Sequence, residues 1–307
     1  MSQKFSFVLL LQCVSLPFGF SEPSCQKFEV DTGLYFLCKG FSHASELATG
    51  IPRPEHQEHF FSLSDSRLES LPAETFRELT ISNLTLSNVH IENFSATHPN
   101  AFEGLNGTLK DIFFRAGSTL PASWNVLKDV LSLLTLRLQD QTVSLSRDWG
   151  NLPKSIRNIF IFDSRVSGLE EGALAPLEHM EKFGITSSRL GNFSWAVLPN
   201  PAPHLDTILL GENELTEIPR GFTSHQFPAL RSIRLETNRI ATWDADTLEA
   251  IRSHQNNPEL VVGSIQCRCA IRPLLEFPKG RISGTCYAPE NLQGRKIDDL
   301  RFQDLQC

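Results

Sequence analysis

The sequence predicts an α/β solenoid, in which short coils stack so that their strands form one parallel sheet between disulfide-bonded caps. Three observations predict it. An apolar pattern recurs every 23 to 28 residues, and the cysteines beyond the first 21 residues cluster near the two ends of the chain. The 307 residues are also 40% hydrophobic and 21% charged, a composition that supports a large core and excludes disorder.

The repeating unit is L-x-x-L-x-L, with another apolar residue five positions later and with Ile, Phe, Val or Met allowed for Leu. Because L-x-L alternates with period 2, it predicts a short strand with both apolar side chains on one side. A single coil cannot bury these side chains, whereas stacked coils bury them as a column. The last apolar residue of the strand falls at Leu63, Leu86, Phe114, Leu138, Ile161, Ile185, Leu210, Leu235 and Leu260.

Over residues 60–263 this pattern resembles the leucine-rich repeat family. The resemblance implies a horseshoe of eight or nine repeats with the parallel sheet on its concave face. In that family an Asn three residues after L-x-L links neighbouring backbones, and here only Asn213 and Asn238 hold that position. The other copies depart from the pattern and carry Ser66, Val89, Gly117, Gln141, Ser164 and Ser188.

Residues 1–21 have the pattern of a secretory signal peptide. Lys4 precedes an apolar stretch, and Gly19 and Ser21 give the small-x-small motif that predicts cleavage after Ser21. The alternative, a membrane anchor, needs roughly 20 apolar residues, and neither this stretch nor any later one reaches that length. We therefore expect a secreted, extracellular protein without a membrane anchor.

Cys13 leaves with the signal peptide, and six cysteines remain, which in an oxidising compartment predicts three disulfides. Cys25 and Cys38 flank a predicted hairpin in an N-terminal cap over residues 22–59, and their loop is worth about 3 kcal/mol. Spacing alone leaves three pairings open for the other four, Cys267, Cys269, Cys286 and Cys307. A zinc site is the alternative, but structural zinc sites favour C-x₂₋₄-C spacing and secreted proteins favour disulfides.

Residues 264–307 contain C-x-C, a short apolar segment, a third Cys followed by Pro and Leu-x-Gly, and a final Cys. This arrangement resembles the C-terminal cysteine cap of extracellular leucine-rich repeat proteins, and it implies the pairs Cys267–Cys286 and Cys269–Cys307. In size and repeat degeneracy the chain is also similar to the non-catalytic leucine-rich repeat subunit of secreted decapod shrimp luciferase. That resemblance implies a companion polypeptide.

Four N-x-[S/T] sequons predict N-glycosylation, at Asn83, Asn93, Asn106 and Asn192. Motifs for catalysis are not found. The segment EHQEH, with His56 and His59, lacks the H-E-x-x-H spacing of a metalloprotease, so we expect surface histidines rather than a metal site. We expect no catalytic residue, no metal and no cofactor. The net charge of −7 disfavours nucleic acid and anionic lipid as partners.

The residues between the inward positions of each strand should form the concave face. Aromatic and Arg side chains are typical of interface hot spots. The predicted partner-binding residues are Phe113, Arg115, Arg137, Phe160, Phe162, Leu209 and Arg234. A register error of one residue would instead turn Phe160 and Phe162 into the core, and single exposed apolar residues are ordinary.

The sequence therefore predicts a protein that binds another protein, either a ligand or a companion subunit, without catalysis of its own. The alternatives are a free recognition molecule for microbial or developmental ligands and an enzyme with an unfamiliar site.

Overall fold

The computed structural model describes residues 22–30, 33–51, 59–71, 73–76, 79–94, 101–305 and 307, so the predicted signal peptide lies outside the described residues. The strands of this part are β1 (Ser24–Val30), β2 (Gly33–Lys39), β3 (His59–Leu68), β4 (Ile81–Ile91), β5 (Asp111–Arg115), β6 (Thr135–Gln139), β7 (Thr142–Leu145), β8 (Asn158–Phe162), β9 (Arg165–Leu169), β10 (Lys182–Thr186), β11 (Thr207–Leu209), β12 (Ser232–Arg234), β13 (Glu259–Gln266) and β14 (Ile282–Ala288).

Helix is scarce in the described residues. The α-helices are α1 (Ala44–Gly50) and α2 (Ala245–Arg252). Most return segments are instead short 3₁₀ helices, at Ala73–Phe76, Glu103–Leu105, Trp124–Leu127, Arg147–Asn151, Trp195–Val197, Phe222–Ser224 and Cys269–Glu276. Three more 3₁₀ helices follow β14, at Glu290–Leu292, Ile297–Asp299 and Phe302–Asp304. The fold is thus a solenoid with much less α-helix than the α/β class suggests.

Twelve strands form one sheet in the order β1-β2-β3-β4-β5-β6-β8-β10-β11-β12-β13-β14. Only β1 and β2 pair antiparallel within it, and every later neighbour is parallel. Strands β7 and β9 form a second, two-stranded sheet. Because the strands follow chain order, each coil packs on the one before it, as the repeat predicts.

The core lies on one side of the large sheet. The nine recurring apolar residues from Leu63 to Leu260 are each at most 1% exposed. Adjacent copies also pair in register, for example Leu86 with Phe114 and Phe114 with Leu138. The return segments close the core with residues such as Phe76 and Leu105.

Almost every coil of the repeat region has a left-handed residue two positions after the last apolar residue of its L-x-L segment. Asp and Asn tolerate positive φ better than most side chains because they hydrogen-bond locally. The residues with φ between 47° and 57° at these turns are Asp65, Asn88, Ala116, Asp140, Asp163, Ser187, Glu212 and Thr237. The turn directs the next residue back into the solenoid.

That next residue links neighbouring coils by hydrogen bonds, and serine as well as asparagine side chains form such links. Ser188 Oγ accepts a hydrogen bond from Ser164 N (3.2 Å) and donates one to Thr186 O (2.7 Å). Asn213 Oδ1 in turn accepts from Ser188 N at 3.0 Å. Ser66 and Ser164 make the same two kinds of bond. These serines therefore belong to a polar ladder, a series of side-chain hydrogen bonds that links successive coils.

The third coil departs from the predicted ladder. Ser118, rather than Gly117, accepts the bond from Val89 N (3.0 Å) and donates to Arg115 O (2.7 Å). Both Ala116 and Gly117 have positive φ, so the turn holds one more left-handed residue before the hydroxyl. The buried pair Ile112 and Phe114 nevertheless has the predicted register.

At the N-terminal end, β1 and β2 form a hairpin joined by Cys25–Cys38, and β2 pairs in parallel with β3. At the other end the pairs are Cys267–Cys286 and Cys269–Cys307, the same pairs that the resemblance implies. Strand β14 extends the parallel sheet into this segment.

One expectation is wrong. His59 does not lie at the surface: it begins β3, is 1% exposed and packs edge-on against Phe36 with ring centroids 5.2 Å apart. The neighbouring His56 lies outside the described residues. Separately, none of the described helices has the length and apolar character needed to cross a membrane.

Candidate functional site

The residues that alternate with the buried ones form the side of the twelve-stranded sheet opposite the core, here called the open face. On β5, β6 and β8 the inward residues are fully buried, whereas Phe113, Arg137, Phe160 and Phe162 are half-buried and Arg115 is exposed. All of these therefore lie outside the core, on the side where the sequence predicts them.

Four of these side chains meet, and we call them the aromatic–arginine cluster: Phe113, Phe162, Arg115 and Arg137. The rings of Phe113 and Phe162 lie 5.7 Å apart although β6 separates their strands. The guanidinium of Arg137 lies 4.7 Å from the Phe113 ring centroid, and that of Arg115 lies 5.5 Å from it. Such cation–π contacts hold long side chains in place without removing their charge.

Asp111 at the start of β5 fixes one of the arginines. Its Oδ1 accepts bonds from Arg137 Nη2 (2.6 Å) and Nε (3.1 Å). Burial raises the pKa of Asp111 above its ordinary value, and Arg137 offsets only part of that effect. Asp111 was not among the sequence-predicted residues, although its position two residues before Phe113 places it on the open face by strand alternation.

A second apolar pair lies beside the cluster. Phe160 on β8 and Leu209 on β11 flank Gly184 on the intervening strand β10. A Cβ at Gly184 would lie 3.2 Å from Phe160 Cδ1 and 3.3 Å from Leu209 Cβ. Because Gly184 has no side chain, Phe160 and Leu209 can approach each other above it. Any other residue at this position would displace them.

Arg234 does not join the cluster. It lies on β12, exposed, and its guanidinium binds Glu236 Oε1 with contacts of 2.8 and 2.9 Å. The structure thus brings together six of the seven predicted residues in two neighbouring groups, and it leaves Arg234 in a separate ion pair.

The sequons differ in setting. Asn93 and Asn192 are exposed, whereas Asn83 and Asn106 are half-buried. Asn83 is on the open face of β4, directly paired with Asp111 of β5. Its Oδ1 accepts from Ser82 Oγ at 2.9 Å, which leaves Nδ2, the atom that would carry a glycan, away from that bond.

The N-terminal part of the open face has an aromatic row that the sequence reasoning did not identify. Phe28, Tyr35 and Phe60 pair across β1, β2 and β3, and the Tyr35 and Phe60 rings stack with centroids 4.4 Å apart. Leu37 beside them is 46% exposed and Phe28 is 42% exposed. Alternation with the buried residues of β2 was the signal that could have placed Tyr35 and Leu37 on this face.

No protein-family model matches the chain, and neither does any curated protein sequence. Among solved structures it is similar to a chain of the octameric complex of Latrophilin 3 (Lec, Olf), Unc5D (Ig, Ig2, TSP1) and FLRT2 (LRR). The TM-score is 0.50 at 16% sequence identity, over 86% of this chain and 87% of that chain. The neighbour is FLRT2, a leucine-rich repeat protein, and at this identity the likeness concerns the fold alone. The chain has a leucine-rich-repeat-like solenoid fold.

Proposed function

We propose that this protein is secreted and glycosylated, and that it binds another protein through the open face of a leucine-rich repeat horseshoe without catalysis of its own. The observation that carries the proposal is the aromatic–arginine cluster. Two half-buried Phe side chains and two Arg side chains lie together on the side of the sheet that the core does not use.

These side chains are not needed to complete the core. Their strand neighbours Ile112, Phe114 and Ile161 are already fully buried on the other side. Aromatic and Arg residues are enriched among interface hot spots because they combine a large apolar area with directional polar contacts. A cluster of this composition on a strand face favours a partner protein over solvent.

The charges of the cluster indicate the chemistry of the partner segment. Arg137 is neutralised by Asp111, but Arg115 is exposed and its guanidinium has only the ring contact with Phe113 among the described residues. The cluster therefore presents one net positive charge on a chain whose net charge is −7. A partner segment with a carboxylate next to apolar side chains complements it best.

The position of Asn83 supports recognition of a protein rather than a small molecule. A glycan there would stand on β4, on the N-terminal side of the cluster, and would leave β5 to β12 accessible. Asn93 and Asn192, exposed and outside the strands, would carry glycans that do not cover the open face.

Secretion is supported by the predicted signal peptide and by three disulfides, which persist in oxidising compartments. The proposal that catalysis is absent rests on the lack of a recognisable catalytic motif in the sequence. Turnover by the purified chain, after removal of metals and of co-purifying polypeptides, would contradict it.

The experiment compares affinity capture from the native secretion by three tagged chains. These are the wild type, Phe160→Ser with Phe162→Ser, and the control Leu131→Ser, which removes an apolar side chain that is 70% exposed outside the open face. We expect the double variant to be secreted and folded but to lose the captured polypeptide, and the control to retain it. Equal capture by the double variant, or its failure to fold, would refute the assignment of the face.

The mass of the captured complex distinguishes the two forms of the proposal. A stoichiometric companion polypeptide would make the chain a non-catalytic subunit, as in the luciferase resemblance, and activity should then be assayed in the companion. A glycosylated chain without a constitutive companion would be a free recognition molecule for microbial or developmental ligands.

A further inference from the structure

Among the described strands, the first strand of the sheet has an unpaired edge. Strand β1 pairs with β2 alone, and no other described strand lies beside it. The opposite edge of the sheet is better protected, because β14 binds the following chain through Cys286 N to Arg295 O (2.9 Å) and Gly294 N to Cys286 O (2.8 Å). An exposed edge strand presents a row of free N–H and C=O groups to another chain.

The register with β2 shows which groups of β1 are free. Cys25 lies opposite Cys38 with a Cα–Cα distance of 4.0 Å, which indicates a non-hydrogen-bonded pair of an antiparallel ladder. Since such pairs alternate with hydrogen-bonded ones, Lys27 and Glu29 also belong to the non-bonded type. Their backbone N–H and C=O groups therefore point to the outer edge.

We propose that this edge pairs with β1 of a second copy, antiparallel, about a two-fold axis at Phe28. In that register Lys27 of each copy lies opposite Glu29 of the other, and both residues have their backbone groups directed outward. The two Phe28 side chains meet at the axis as a non-bonded pair, the arrangement that brings side chains closest. An interface of this kind is isologous and closed.

Charge selects this register over its neighbours. An axis at Lys27 would place the two Lys27 side chains opposite each other, and an axis at Gln26 would place each Lys27 opposite Cys25. Like charges in directly opposed positions are destabilising. Lys on an edge strand commonly prevents unspecific pairing, and the register centred on Phe28 supplies its counter-charge without placing like charges opposite each other.

Apolar surface supports the same occupant. Phe28 is 42% exposed on the open face and continues the row formed by Tyr35 and Phe60. In the dimer the rows of the two copies join at Phe28. One seven-residue strand and this row form a small interface, below the roughly 1,200 Å² of stable complexes, so the association should depend on concentration.

The test measures the mass of the purified secreted protein by light scattering and sedimentation across a hundred-fold concentration range. We expect the mass to rise from one chain to two. Lys27→Glu and Glu29→Lys should each abolish the rise, because each creates like-charge pairs, and the combined variant should restore it. Lys39→Glu, an exposed charge on the inner strand of the same hairpin, is the matched control and should leave it unchanged.

A cysteine pair tests the axis directly. Phe28→Cys should form an intermolecular disulfide under mild oxidation, because only an axis at this residue brings two copies of it within disulfide distance, whereas Lys27→Cys should not. A monomer at every concentration would overturn the proposal. So would a dimer that is insensitive to the charge variants or that cross-links through Lys27→Cys. If the new thiol disturbs Cys25–Cys38, the charge variants, which add no cysteine, still decide.

Discussion

Replacing Ser188 by Ala should destabilise the protein by about 1–2 kcal/mol, although it removes a single oxygen. Ser188 is 1% exposed, and its Oγ is the acceptor for Ser164 N. Without it that buried N–H has no partner, and an unsatisfied buried donor costs about 1–3 kcal/mol. The Thr186 carbonyl keeps a hydrogen bond in the variant because it also accepts from Asp163 N at 3.2 Å. The expected loss of unfolding free energy therefore lies in the lower part of that range.

The assay is equilibrium unfolding in urea combined with amide hydrogen exchange. The Ser188→Ala midpoint should fall, and the Ser164 amide should exchange faster while amides in β13 keep their protection. The matched control is Ser187→Ala, whose hydroxyl bonds to Glu212 Oε2 at the exposed surface and whose loss should stay within about 0.5 kcal/mol. Equal stability of both variants together with unchanged Ser164 protection would refute the ladder.

Further predictions concern the C-terminal part. Cys267→Ser with Cys286→Ser should reduce secretion because it opens the end of the solenoid, and normal yield of a monodisperse product would contradict its role as a cap. Arg281→Met should lower the free energy of unfolding by about 2–4 kcal/mol, because the buried guanidinium donates to the carbonyls at the end of α2, including Ile251 O at 2.9 Å. Thermal unfolding measures this loss, and an unchanged midpoint would exclude that role. Asp244→Ala should remove the N-cap of α2 and lower the free energy of unfolding by about 1 kcal/mol. The bond from Thr247 holds the pKa of Asp244 below its ordinary value of 3.8, so its contribution is present above that pH and the difference from wild type should shrink as the pH falls below it.

The fold was predictable because two periods coincide in the sequence. Alternation within a strand decides which residues turn inward, and recurrence between strands decides which of them stack, so the spacing alone is enough to place Leu63 and Leu86 as partners. The ladder was predictable only in part. A hydroxyl at the turn keeps one bond to the neighbouring coil and one within its own turn, fewer than an Asn side chain makes, and a pattern that requires Asn treats Ser164 as a departure.

The candidate site shows where sequence reasoning stops. Alternation placed Phe113 and Phe162 on the open face, but their contact passes over an intervening strand and depends on side-chain rotamers, which no spacing encodes. The pairing of Arg137 with Asp111 and the gap at Gly184 depend on the same lateral register. His59 was misplaced because β3 begins one residue before the predicted repeat region, so the residue follows the inward alternation of the strand.

The two proposed surfaces are compatible, and together they have a consequence that neither has alone. An antiparallel pair of edge strands about a two-fold axis perpendicular to the sheet keeps the open faces of both copies on the same side. Two aromatic–arginine clusters would then point in one direction, and binding to a partner displayed densely on a surface would gain avidity, which can reach about 100-fold or more. Lys27→Glu should abolish this gain on a dense surface while leaving the affinity for dilute, soluble partner unchanged, because Lys27 is far along the sheet from the cluster strands β5 to β8. Restoration of the gain by adding Glu29→Lys would attribute it to the edge pairing. A parallel loss of affinity for soluble partner would instead show that β1 contacts the partner itself.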